Sequence, residues 1–153
     1  MTIVRRIAAA MALSLGLVLS VTTISAAATA AAKPTVTYEW NTAVWGDPPS
    51  GLSCSVITGA AACYQRYGDK IWVKDTAKDG WSAVGAWRDY YNTGSQDVLH
   101  REGACVNKLG YGQWGVCDKN FPEGTDLLLK ACRYDSHAGT WHGCASSWKL
   151  YTA

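Results

Sequence analysis

CVNKLGYGQWGVC, residues 105–117, is followed by CRYDSHAGTWHGC, residues 132–144, and the two stretches share one spacing. Cys105 aligns with Cys132, Gly112 with Gly139, Trp114 with Trp141 and Cys117 with Cys144. A pattern Cys-x6-Gly-x-Trp-x2-Cys used twice admits two chemistries. The second copy also carries His137 and His142, so Cys132, His137, His142 and Cys144 make a set of zinc-type ligands. Alternatively, each copy is a hairpin closed by a disulfide, with glycine supplying the positive φ of the turn. The first copy has no histidine, so the disulfide reading is the one that explains both.

Which chemistry holds depends on the compartment, and the N-terminus speaks to that. Arg5 and Arg6 precede an apolar run from Ile7 to Val21, and SAAATAAA follows at residues 25–32. This is the layout of a secretory signal peptide over residues 1–32, cleaved within 26–32; the apolar run is too short for a membrane span. The expectation is a secreted, extracellular protein with no membrane attachment after cleavage. Export favours oxidised cysteines. Sequential pairing, Cys54–Cys63, Cys105–Cys117 and Cys132–Cys144, then places a glycine turn inside each loop, at Gly59, Gly110 and Gly139. No metal and no cofactor are expected.

Charge narrows the partners. Of the 14 Lys and Arg residues, Arg5 and Arg6 leave with the signal, so 12 remain against 12 Asp and Glu. A neutral chain without a basic run lacks the footprint of phosphate binding, which excludes nucleic acid.

The remainder reads as strands. In KPTVTYEW, residues 33–40, Val36, Tyr38 and Trp40 alternate with Thr35, Thr37 and Glu39. GDPPSG, residues 46–51, interrupts. Strands or hairpins are then predicted over 54–67, 69–75, 81–91, 98–108, 126–134 and 140–151, with no helical period; DLLLKACRY, 126–134, is read as a strand despite its helical propensity. The fold class is all-β, a disulfide-stabilised antiparallel sandwich or small barrel. Residues 33–52 form an N-terminal extended segment and Pro-rich linker, and 53–153 the disulfide-stabilised domain. The two copies are expected to form two similar hairpins.

Eight Trp, eight Tyr and one Phe all follow residue 32. Many must fill the core, because aliphatic side chains are few. Trp72, between Lys70 and Lys74 on the charged face of its strand, is the candidate for an exposed aromatic platform. Catalytic signals are weak. Ser82 in GWSAVG lacks the spacing of a nucleophile elbow, pairing leaves no free thiol, and His100 with Glu102 is the one acid–base combination on a shared strand face. The chain is read as a binding protein rather than an enzyme.

GDKIWVKDTAKDGWSAVGAW, residues 68–87, together with the paired cysteines and the C-terminal Gly-x-Trp-x2-Cys, resembles small exported β-sandwich proteins of antibiotic-producing Gram-positive soil bacteria. The likeness covers roughly residues 53–153. More loosely, the chain is similar to the small adaptor subunit of umbrella toxin particles, which are secreted antibacterial assemblies. That similarity implies an adaptor linking a lectin-like subunit to a long toxin polypeptide.

Three functions follow as expectations: a protein-interaction module or adaptor, an inhibitor of an exported enzyme presenting loop 109–113 or 135–139, and a carbohydrate-binding module using surface Trp. The candidate partner-binding residues are Val36, Tyr38, Trp40, Trp45 and Trp72. The first four lie on a segment that is either the first strand of its own domain or a strand donated to a partner's sheet.

Overall fold

A computed structural model describes residues 35–153. The signal peptide expected over residues 1–32 lies outside the described residues. Eleven strands follow in order: β1 (Tyr38–Thr42), β2 (Val44–Trp45), β3 (Cys54–Ile57), β4 (Ala60–Gln65), β5 (Lys70–Asp75), β6 (Ser82–Asn92), β7 (Asp97–Asn107), β8 (Trp114–Asp118), β9 (Asp126–Asp135), β10 (Thr140–Cys144) and β11 (Lys149–Thr152). They form two sheets. One runs β1-β7-β6-β9-β10, with β11 also paired to β9; the other runs β2-β8-β5-β4-β3. Both sheets keep open edges, so the fold is a sandwich and not a barrel.

The alternation read from the sequence sets the layers. Ile71 and Val73 of β5 face inward against Ala83, Gly85 and Trp87 of β6, and all but Gly85 are fully or nearly fully buried hydrophobics. A Cβ on Gly85 would come within 3.0 Å of Ile71 and 3.1 Å of Val73, so this glycine marks a close approach of the sheets. Leu127, Leu129, Tyr64 and Phe121 complete the core around Trp87, with alanines at 60, 62, 83 and 131 making room for the indole. DLLLKACRY is β9, as expected. Burial of alternate residues on a central strand outweighs the helical propensity of its leucines.

All six cysteines pair sequentially. Cys54–Cys63 joins directly opposed residues of β3 and β4, and Cys132–Cys144 does the same for β9 and β10. Cys105–Cys117 differs, and here the expectation of two similar hairpins is corrected. β7 and β8 belong to different sheets, so this bridge crosses the sandwich interior. The reason is Asn107, which is fully buried. Its amide donates to the Val73 and Gln113 carbonyls, and its oxygen accepts from the Leu109 N–H. The side chain satisfies a backbone that leaves one sheet for the other. In the second copy, Gly139 N–H bonds back to the Asp135 carbonyl and the chain returns beside itself.

One further expectation changes, and one open alternative is settled. The strand predicted over 140–151 is two strands, broken at residues 145–148, where a bend carries Trp148 onto the sheet's outer face. Of the two readings of the N-terminal segment, the described residues follow the first, a strand of its own domain. β1 pairs in parallel with β7 and β2 antiparallel with β8, so this segment belongs to both sheets.

β1 is held by charge and by a missing side chain. Glu39 accepts from Arg101 at 2.8 Å and from Lys119 at 2.8 Å, and Lys119 also donates to Asn41. Burial works to raise the Glu39 carboxyl, but the two cations outweigh it and hold it below the usual carboxylate range. Glu39 lies opposite Gly103. A Cβ there would collide with the Glu39 carbonyl oxygen and sit 2.8 Å from the Trp87 ring. Gly103→Ala is therefore expected to lower stability by about 2–3 kcal/mol, measured by urea denaturation with the disulfides intact; an unchanged midpoint would contradict this account.

One core carboxylate is poorly served. Asp89, at a bulge in β6, is fully buried, and neither oxygen has a hydrogen-bond partner. Burial pushes its pKa up; Thr125, His100 and Arg101 oppose this, though the Thr125 hydroxyl proton goes to the Pro122 carbonyl. A raised carboxyl binds its proton more readily in the folded than in the unfolded chain, so stability is expected to fall as pH rises from the ordinary carboxylate value through the raised one. Thermal unfolding across that window should show the decline, and Asp89→Asn should reduce it, leaving the part owed to the buried Asp75, whose carboxyl is also raised by burial.

Candidate functional site

The outer face of the six-stranded sheet carries a second apolar cluster. Its floor is Val84 and Ala86 of β6, Ala104 and Val106 of β7, and Cys132 of β9, all buried. These positions are the outward half of the same alternation that points Trp87 inward. Small residues on an outer face leave room above them, and aromatic side chains from both ends of the sheet occupy it. Trp40 reaches in from β1 and Trp141 from β10, and their ring centroids lie 5.9 Å apart. Tyr134 stands between them, 4.9 Å from Trp40 and 5.5 Å from Trp141. The three rings meet edge to face, at 62°, 75° and 65°, which suits the aromatic quadrupole.

Beside this cluster runs a groove of about 310 Å³. Tyr38 and Trp141 line one part of it, Trp148 another, and Ala86 with the Cys132–Cys144 bridge lies among them. Three charges line it: Arg88, Glu102 and Lys130. Arg88 Nε donates to Glu102 at 3.0 Å. Trp148 sits under two cations, with Lys130 Nζ 4.4 Å and the Arg88 guanidinium 5.1 Å from its ring. One carboxylate against two cations leaves the groove with an unmatched positive charge. Burial, then Glu102 and Tyr134, push the Tyr38 hydroxyl up, so it stays a neutral donor. Tyr38, Trp40 and Trp141 remain 49%, 41% and 43% exposed, which makes this an accessible aromatic surface rather than core.

The five residues singled out from sequence do not stay together. Tyr38 and Trp40 belong to the site. Trp45 is exposed on β2, at the edge of the other sheet, and Val36 is half-buried ahead of β1. Trp72 is corrected: only 5% exposed, it is no platform. A Cβ on Gly46 would lie 3.1 Å from its ring, so the Pro-rich linker lies over the indole, and Trp72 Nε1 donates to Gln65. Trp141 carried a signal in the repeat. Arg88, Lys130, Tyr134 and Trp148 did not, because nothing local tells an outward side chain which neighbours it will meet.

A second hollow, of about 290 Å³, lies between the loops 109–113 and 135–139. Gly110 and Tyr111 line it from one loop and Ser136 and His137 from the other, with Lys78, Trp81 and Ser82. Asp135 braces its loop by accepting from the Ala138 and His137 N–H groups, which hold its carboxyl below the usual range. The zinc-type quartet does not assemble: Cys132 and Cys144 are bonded to each other, and His142 stacks on Trp81 at 4.0 Å. Nor do His100 and Glu102 form an acid–base pair. His100 Nε2 meets the Tyr91 hydroxyl at 3.3 Å, while Glu102 is held by Arg88.

Compared with known protein families, curated proteins and solved structures, the chain matches none.

Proposed function

We propose that the protein is a secreted, non-enzymatic interaction module that binds a partner protein through the aromatic groove of its six-stranded sheet. The observation that carries this reading is the meeting of Trp40 and Trp141, exposed and interlocked above a small-residue floor. Clustered Trp and Tyr beside Arg is the composition of binding hot spots, where rigid rings supply contact area at low entropic cost. The surplus cation beside Trp148 suits an acidic side chain flanked by an apolar one. The adaptor of a secreted antibacterial particle, joining a lectin-like subunit to a long toxin polypeptide, is the specific role we propose for such a module.

Because the rings cross steeply, they present no continuous flat face, which argues against a sugar-stacking platform. The inhibitor reading has one observation behind it: two loops distant in sequence are braced side by side around the second hollow.

Tagged full-length protein, recovered from a producing culture, is expected to retain a stoichiometric exported partner. Trp40→Ala with Trp141→Ala should weaken that complex at least tenfold by truncating paired anchors, while Tyr67→Ala, on a remote exposed residue, leaves it intact. Equal retention by both variants would move the interface away from the groove. A wild-type protein that is a lone monomer, and whose fluorescence shifts instead with a cell-wall polysaccharide, would replace the partner protein with a sugar.

A further inference from the structure

Lys119 is the most deeply buried basic side chain in the salt bridges of the described residues, with 3% of its side chain exposed. Its Nζ lies 4.6 Å from the face of Trp87. Two side chains of β1 reach it: Glu39 Oε2 at 2.8 Å and the Asn41 amide oxygen, in direct contact. Residues 39 and 41 lie two apart on one strand and therefore share a face. The second Glu39 oxygen is held by Arg101 at 2.8 Å, which fixes the carboxylate. A lysine nucleophile, a carboxamide and a carboxylate proton carrier thus converge beside the Trp87 ring.

We propose that Lys119 and Asn41 join in an intramolecular isopeptide bond, formed by the folded protein itself with Glu39 as the proton carrier. Glu39 takes a proton from the Lys119 ammonium. The freed Nζ lone pair attacks Asn41 Cγ, a Nζ–Cγ bond forms, and the carbonyl electron pair moves onto the oxygen. A second Nζ proton passes to the Asn41 amide nitrogen, which makes it a leaving group. The oxygen pair returns, the Cγ–Nδ2 bond breaks, and the ammonia released takes the proton held by Glu39 to leave as ammonium. One proton stays on the new amide, the Glu39 carboxylate is restored, and no oxidant or other reactant is consumed.

Physical conditions on both sides of the reaction favour it. Burial, with Arg101 adding to it, lowers the Lys119 pKa, although Glu39 opposes. A desolvated lysine is the activated form of this nucleophile. Reactants preassembled by the fold avoid the entropy of encounter. Asn41 is exposed, which gives the released ammonium a path to solvent. The product removes a buried ammonium, whose desolvation is expensive. It also ties β1, in one sheet, to the residue following β8 in the other.

Mass spectrometry of the intact, reduced protein decides the matter, with the mature N-terminus located by peptide mapping. The expected mass is lower than that of the sequence by one ammonia, and digestion should release a branched peptide joining the segments around Asn41 and Lys119. Lys119→Met should restore the full mass, Asn41→Asp should lose water in place of ammonia, and Glu39→Gln should prevent the loss. Full sequence mass in folded wild-type protein overturns the proposal, as does an ammonia loss that survives Lys119→Met. The wild-type measurement stands even where a variant fails to fold.

Discussion

Lys119 packed on the face of Trp87 is the contact from which the N-terminal half of the architecture follows. Trp87 is 1% exposed and is the largest fully buried side chain. Its ring leaves no space for a side chain at Gly103, so β7 presents bare backbone there and β1 can lie close against it. The cation above the ring needs a counter-charge, because an ammonium removed from water without one is expensive. Glu39 of β1 supplies it, and Arg101, 5.6 Å from the same ring, takes the other carboxylate oxygen. One indole thus sets both the steric and the electrostatic terms on which the first strand docks.

The three disulfides divide their work by layer. Cys54–Cys63 and Cys132–Cys144 each link opposed residues within one sheet, while Cys105–Cys117 passes between the sheets. Closing a loop of about a dozen residues constrains the unfolded chain by roughly 3 kcal/mol, less any strain. That matters for a domain whose core holds a single Phe and many alanines, since alanine contributes little burial per ordered residue. The inter-sheet bridge adds registration: it lies beside Asn107 and fixes where the chain changes sheets.

The groove is a consequence of the same economy. Alternation gives the outer face of β6 and β7 small residues, Val84, Ala86, Ala104 and Val106. Large aromatics at the edges lean over that floor instead of into solvent. The position of Trp40 depends on β1, and hence on Glu39, Lys119 and Gly103; that of Trp141 depends on the hairpin closed by Cys132–Cys144. The surface proposed for recognition is therefore braced from both sides, which would lower the ordering cost of binding.

Sequence alone determined the local terms. Period-two alternation placed the strands, paired cysteines with a glycine between them gave the sequential disulfides, and Pro48 and Pro49 ended the N-terminal segment, because each signal is set by residues within a few positions of one another. Tertiary structure decided what rests on distance in the chain. The two copies of one motif became different objects because Asn107 finds its partners on β5 and in its own loop. Trp72, outward by alternation, became buried because a linker far from it in sequence covers that face. Tyr38, Trp141, Trp148 and Arg88 became one groove only when strands remote in sequence were laid side by side, since alternation states which way a side chain points and not what it will face.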